Sequence, residues 1–226
     1  MNIVDLGETY GMGVASEIFG PNHVINIPTR LQEVEKSLQK ADLLCFGGGE
    51  DVYPGLYGHR NLNSYTSAIS RRDIFESIAF DMAKAMKVPM LGICRGAQFV
   101  CVRSGGTLFQ DLYKHPSGTH KIVLFEPTTE GEKELGISST HHQAMVPWNI
   151  NHKLIGYYPN ENNARHIYDT AVDPERENFP LNCDPEIVFF PDTMSLGVQG
   201  HPEFFPTNSK VNIYVRHLVS KFLERQ

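Results

Sequence analysis

The sequence predicts an α/β fold with a largely parallel central sheet, and three observations carry that expectation. Short β-type runs recur along the 226 residues, stretches of helical periodicity alternate with several of them, and the composition can fill a core. Hydrophobic residues make up 41% and charged residues 20%, an ordinary balance for a folded chain rather than a disordered one. No Gly/Ser linker, repeat or low-complexity stretch divides the sequence, so one domain over 1–226 is expected.

In chain order, the strand-like runs are Asn2 to Leu6, His23 to Ile27, Asp42 to Phe46, Val88 to Ile93, Ile122 to Phe125, Ile187 to Phe190 and Ser195 to Gln199. Thr29 with Gln32 reads as a capping box ahead of Leu31, Val34 and Leu38. Ser70 with Asp73 opens a second helix, whose apolar face is expected to be Ile74, Ile78, Met82 and Ala85. A helix follows Cys94 to about Arg103, and Asn208 caps a terminal helix carrying Val211, Val215, Leu218 and Phe222. Between about 156 and 185 the chain is rich in Asn, Pro and charge without clear period, which reads as an irregular insertion, either a lid or a solvated loop.

Several classes are disfavoured at once. A net charge of −6 with no Lys/Arg cluster gives no positive field for a phosphate backbone, so no nucleic-acid partner is expected. The segment MNIVDLGETYGMG lacks a signal-peptide pattern and no apolar stretch reaches spanning length, so a cytoplasmic chain without a membrane partner is expected. The four cysteines, Cys45, Cys94, Cys101 and Cys183, show no C-x-x-C spacing. Neither a disulfide framework nor a zinc knuckle is suggested, and no metal or cofactor is expected.

The chemistry concentrates at Pro89-Met90-Leu91-Gly92-Ile93-Cys94-Arg95-Gly96-Ala97-Gln98, where an apolar strand turns sharply into a helix. Small residues two positions either side of Cys94 are what a nucleophile elbow needs, and a helix N-terminus favours the thiolate. Cys45, inside an apolar run, reads as a buried small hydrophobe, as does Cys101 further along the same helix; Cys183 has no partner motif. A thiol nucleophile requires a base and a group to orient it. Gly197-Val198-Gln199-Gly200-His201-Pro202-Glu203 offers both, His201 at a strand end and Glu203 two residues on, where an extended segment would put them on one side. Cys94, His201 and Glu203 are therefore the candidate catalytic triad. Gln98, one helical turn past Cys94, can bind the substrate from the same helix face.

The pattern Pro-x-x-Gly-x-Cys-x-Gly-x-Gln, followed much later by Gly-x-Gln-x-His-Pro-Glu, resembles the class I glutamine amidotransferases. Within that superfamily, Gly47-Gly48-Gly49-Glu50-Asp51-Val52-Tyr53-Pro54 with Tyr57-Gly58, Arg72-Asp73 with Glu76, Gly105 to Leu112 and His141-His142-Gln143-Ala144 most resemble gamma-glutamyl-gamma-aminobutyrate hydrolases, over about Asp42 to Glu203. The resemblance implies a three-layer flavodoxin-like fold and attack by Cys94 on a small-molecule γ-glutamyl amide, through a thioester. It implies oxyanion donors at the amides of Gly48 or Gly49 and of Arg95, and a phosphate-cradling role for those glycines is disfavoured because no Gly-Lys-Ser/Thr follows. It places His141, His142 and Gln143 in the pocket wall, a solvated loop being the alternative. Those hydrolases often carry Trp where this chain has Gly200, which predicts a pocket lacking that ring. A glutaminase subunit supplying ammonia to a separate synthase chain, and a non-catalytic binding module, are the alternative functions.

Overall fold

The structure, a computed structural model, describes residues 1–9, 12–174, 179–180 and 182–223. The N-terminal half contains β1 (Asn2–Asp5), β2 (Glu8–Thr9), β3 (Met12–Gly13), α1 (Val14–Phe19), β4 (Val24–Asn26), α2 (Leu31–Leu38), β5 (Leu43–Phe46), α3 (Arg71–Ala85), β6 (Met90–Ile93) and α4 (Arg95–Arg103). There follow β7 (Thr107–Phe109), β8 (Gly118–Leu124), β9 (Glu134–Ser139), β10 (Ala144–Val146), β11 (Lys153–Tyr158), β12 (Asp184–Phe190), β13 (Ser195–Val198) and α5 (Lys210–Leu223). A 9-stranded sheet in the order β4-β1-β5-β6-β13-β12-β11-β8-β9 forms the centre. From β4 to β13 neighbouring strands run parallel, and from β13 onward each pairing is antiparallel.

The parallel strands bury both faces, as their unbroken apolar runs require. Ile3, Leu43, Cys45, Leu91 and Ile93 pack with Val14 and Ile18 of α1 and with Val215 and Leu218 of α5. The residues between them, Val4, Leu44, Phe46 and Met90, pack on the other face with Val34 of α2, Phe80 of α3 and Phe99 of α4. That two-residue alternation produces the helix–sheet–helix layers of the α/β fold expected from the sequence.

Local signals were realised unevenly. Ser70 and Asp73 form the capping box, the Ser70 amide donating to the Asp73 carboxylate at 3.0 Å and the Asp73 amide to the Ser70 hydroxyl at 2.9 Å. Thr29 does not cap α2; Arg30 holds that position, and Glu33 accepts the Thr29 amide at 3.1 Å. At α5 the hydroxyl of Ser209, one residue beyond Asn208, takes the Asn212 amide. The buried face of α3 is not Ile74 and Ile78, which are exposed, but Asp73, Glu76, Ala79, Phe80 and Ala83.

Over 156–185, β11 continues to Tyr158, a 3-10 turn spans Asn163–Arg165, and Asp111 bridges Ile167. Tyr168 and Phe179 pack with Phe109 in a third apolar cluster, and Arg60 makes a bidentate pair with buried Asp169. Residues 175–178 and 181 of that stretch lie outside the described residues.

Candidate active site

Loops leaving the C-terminal ends of β5, β6 and β13 converge, which is where open α/β sheets gather their ligands. Strands β6 and β13 are adjacent and in register, Ile93 opposite Val198, and the Cys94 amide donates to the Val198 carbonyl at 2.8 Å. Cys94 and His201 therefore leave neighbouring strands at the same end of the sheet.

Cys94 has φ 53° and ψ −109°, a conformation that costs a non-glycine residue about 1–3 kcal/mol and here stands at the start of α4. Close approach makes the turn possible: a Cβ on Gly96 would lie 2.1 Å from the Phe46 carbonyl oxygen. The strained strand-to-helix corner has the backbone geometry that a nucleophile elbow requires. The cysteine is nearly buried, at 7% exposure.

His201 and Glu203 are linked through a 3-10 turn, Pro202–Phe204, rather than the extended segment expected from Pro202. The Glu203 carboxylate accepts from His201 Nδ1 at 2.7 Å, which leaves Nε2 for the Cys94 thiol. Burial opposes charge on this imidazole, but bonding to Cys94 and Glu203 outweighs it and pushes His201 up to about 10. Two supports have no counterpart in the sequence motifs. The Ser138 hydroxyl of β9 accepts the His201 amide at 2.8 Å, and the Phe204 ring stacks on the imidazole with centroids 4.4 Å apart.

The loop after β5 is fixed from behind. Arg72 donates to the carbonyls of Gly48 at 2.8 Å and Gly47 at 3.0 Å. Gly49 has φ 144°, and a Cβ there would meet the Arg72 guanidinium at 2.2 Å. The Arg95 amide, first in α4, has no acceptor within the helix, while the Arg95 side chain is buried in ion pairs with Asp73 and Glu76. The Arg72-Asp73-Glu76 motif thus braces the elbow from underneath. Capping and the helix dipole, the readings available from sequence, explain Asp73 only in part and do not account for the burial of Glu76 against Arg95.

A cavity of about 500 Å³ opens onto these groups and is lined by Gly49, Glu50, Asp51, Cys94, Arg95, Gln98, Thr140, His141, His142, Gln143, His201 and Phe204. The Gln98 amide donates to the Gln143 carbonyl at 3.2 Å, tying α4 to the opposite wall. His142 bonds Asp51 at 3.0 Å and Asp111 at 3.3 Å, and the bond to Asp51 holds its imidazole above the usual range. His141 reaches the cavity only at its edge. Complete burial pushes its imidazole down to about 4, and Nδ1 lies 2.9 Å from the Gln143 carbonyl. Gly200 does not face the cavity: a Cβ there would strike Ile137 of β9 at 2.3 Å, so a side chain at 200 would not enlarge the pocket wall. Cys45 and Cys101 are buried with thiols held in the neutral form by burial, Cys101 at about 12; Cys183 is likewise at about 12. All four cysteines are free.

This geometry has relatives. A Peptidase C26 family model matches residues 10–156, and the chain belongs to that family, within the class I glutamine amidotransferase-like superfamily. The matched span contains Cys94 and His141 to Gln143; His201 and Glu203 lie beyond it. A glutamine amidotransferase-like protein of Lactococcus lactis subsp. lactis is 30% identical over 138 residues, 54% of this chain and 58% of that one. A homologue from L. lactis subsp. cremoris is 38% identical over 90 residues, 39% of this chain and 48% of that one. The chain spans about half the length of these curated relatives. Among solved structures, a GMP synthase component from Thermoplasma acidophilum superposes with TM-score 0.57 at 17% identity, covering 96% of this chain and 90% of that one. The acivicin-bound glutaminase domain of Trypanosoma brucei CTPS gives 0.56 at 13%, covering 94% and 86%. Identities this low show a shared fold. Among the described residues, no helix is long and apolar enough to cross a membrane.

Proposed function

We propose that the protein hydrolyses a γ-glutamyl amide, glutamine or a γ-glutamyl amine, by nucleophilic catalysis at Cys94. The observation that carries this reading is the strained Cys94 elbow facing an imidazole whose far nitrogen is fixed by Glu203 at 2.7 Å. His201 Nε2 takes the Sγ proton, and Sγ attacks the γ-carbonyl carbon, forming the C–S bond as the carbonyl π pair moves onto oxygen. The amides of Arg95 and of Gly48 or Gly49 receive that oxyanion. As the C–N bond breaks, His201 gives its proton to the departing amine. Water then attacks the thioester as His201 takes its proton, the C–S bond breaks to release glutamate, and His201 returns that proton to Sγ. Glu50 lines the cavity beside Asp51, whose carboxylate is already held by His142, and the Glu50 charge suits the substrate's α-ammonium group; Gln98 and Gln143 line the same cavity and suit its amide and carboxylate. No step calls on a metal or cofactor. A working thiol fits a reducing, cytoplasmic setting.

A second reading draws on the fold's neighbours, the GMP synthase component and the CTPS glutaminase domain. In it the released ammonia passes to a separate synthase chain. Both readings are tested by following glutamate release from glutamine and from a panel of γ-glutamyl amines, beside Cys94→Ala. Turnover absent in Cys94→Ala and strongest on γ-glutamyl amines supports the stand-alone hydrolase; weak turnover confined to glutamine supports the synthase-coupled glutaminase. Equal turnover in Cys94→Ala, or none together with a Cys94 inert to glutamine-like electrophiles, overturns the enzymatic reading.

A further inference from the structure

Behind the His141 edge of the cavity, a second group of titratable side chains lies buried between β8, β12 and the loop joining β9 to β10. His115 Nε2 is 3.3 Å and His141 Nε2 3.8 Å from the same oxygen, Glu186 Oε1, and the three donor atoms lie within 4.8 Å of one another. The side chains are at most 2% exposed. His115 Nε2, His141 Nε2 and the second Glu186 oxygen are buried without a hydrogen-bond partner, although unpaired buried polar atoms are rare.

The far side of each imidazole is already committed. His115 Nδ1 bonds the Asp184 carboxylate at 2.9 Å, and His141 Nδ1 bonds the Gln143 carbonyl at 2.9 Å. Both partners can only accept, so each Nδ1 donates and each Nε2 faces the Glu186 carboxylate. Burial keeps His141 neutral with a lone pair there. On His115 burial is outweighed by Asp184 and Glu186, which hold it up at about 9, so its Nε2 carries a proton that a metal ion would displace. A buried carboxylate facing two imidazole nitrogens needs a cation among them, which is either that proton or a metal ion in its place. A histidine held by a carboxylate or carbonyl through its other nitrogen is also the usual outer arrangement around a bound metal. Asp184 is itself held by His166 at 2.7 Å and Asn160 at 2.9 Å, and His120 Nε2 orients Glu186 Oε1 from 3.1 Å. Histidines are the ion-pair partners of Asp184 and Glu186, and no lysine or arginine joins them among the described residues. Two buried carboxylates partnered in this way can match one divalent charge.

We propose that His115, His141 and Glu186 bind a divalent transition-metal ion, zinc being the ion their donors suit, and that it staples the His141 loop of the pocket wall to β12. Two nitrogens and a carboxylate oxygen are a borderline-soft set. Zinc bonds near 2.0–2.1 Å put tetrahedral donors roughly 3.3 Å apart, the His115 to Glu186 spacing, so the His141 nitrogen, 3.8 Å from the same oxygen, would draw in on binding. The role is structural and separate from the proposed hydrolysis, whose groups are Cys94, His201 and Glu203.

The test is to strip the purified protein with a chelator, dialyse, and titrate zinc and then cobalt. About one zinc per chain and a rise in the thermal unfolding midpoint are expected. The cobalt form should show tetrahedral visible bands without thiolate-to-cobalt charge transfer. Glu186→Gln, close to isosteric, and His141→Asn should weaken zinc binding at least about 100-fold, and Asp184→Asn about 10- to 100-fold. Cys94→Ala should bind as the parent does, which separates this site from the failure of the proposed nucleophile. Binding that survives Glu186→Gln, binding lost with Cys94→Ala, or no zinc-dependent change in the parent protein would overturn the proposal. Should the histidine or carboxylate variants not fold, the parent's cobalt spectrum decides: thiolate charge transfer counts against the site, and nitrogen and oxygen ligation supports it.

Discussion

Two buried charge networks flank the candidate site, and they differ in whether protein atoms complete them. Behind the elbow, Arg95 pairs with Asp73 and Glu76 while Arg72 bonds Glu76 at 2.7 Å and the glycine-loop carbonyls. None of these four side chains is among the described buried groups left unpaired. Behind the opposite wall, His115, His120, His141 and Glu186 each leave a buried atom unpaired. The arginine network is permanently charged and self-sufficient, suited to hold backbone amides still. The histidine network can change charge and has donors to spare. The contrast separates a brace from the proposed metal site.

The largest expected effect lies at the third buried pair, His201 with Glu203, where the imidazole's second nitrogen faces a thiol instead of a carboxylate. Glu203→Gln should keep the fold but favour the wrong tautomer, lowering kcat roughly 10³- to 10⁴-fold with little change in KM. Steady-state kinetics beside an unfolding curve would show it, and a lost fold with intact kcat per folded molecule would make Glu203 structural. Next comes the brace. Arg95→Met takes the buried cation from Asp73 and leaves Glu76 with Arg72 alone, and should destabilise by about 3–5 kcal/mol in urea unfolding, whereas Arg95→Met with Glu76→Met should recover part of that loss. No recovery in the double variant would mean that the arginine's packing, rather than its charge, is what matters.

A smaller effect follows from pH. The His201 pKa is raised, so folding favours its protonated form. That stabilisation is fully present below the ordinary value of 6.5 and is lost as pH rises through about 10. If the protonated ring supplies the leaving amine's proton, kcat/KM should decline over the alkaline part of that range, and Glu203→Gln should move the decline to lower pH. A pH profile unchanged by Glu203→Gln would detach the carboxylate from the base.

The candidate active site is legible in the sequence because local backbone geometry writes itself in residue type. A cysteine between spaced glycines at a strand end, and His-Pro-Glu at another, need no tertiary knowledge. Ser138 and Phe204 are not legible, because a hydroxyl bonding an amide 63 residues away and a ring two residues beyond Pro202 leave no distinctive pattern. The strands β7, β9, β10 and β11 carry no clear signal either. Glu134–Ser139, for example, carries glycine and serine on a partly exposed, antiparallel edge, where burial does not demand an apolar run. The histidine cluster joins residues from 115 to 186, and sheet pairing is what assembles it.

Helix α3 departs from its sequence pattern for an instructive reason, and it provides the smallest expected effect. Periodicity marks apolar residues as core, which points Ile74 and Ile78 inward, yet they are 48% and 36% exposed while Asp73 and Glu76 are at most 1% exposed. The arginine network reverses the usual preference: carboxylates turn inward because buried Arg95 awaits them, and Phe80 and Ala83 continue that face one turn further on. Ile74→Gln should therefore change stability by no more than about 0.5 kcal/mol, as at other surface sites, whereas Phe80→Ala should cost about 3–5 kcal/mol. Urea midpoints for the two variants discriminate directly. A large loss from Ile74→Gln would mean that its side of α3 is covered in solution, and the brace would then be only one of two faces holding the helix.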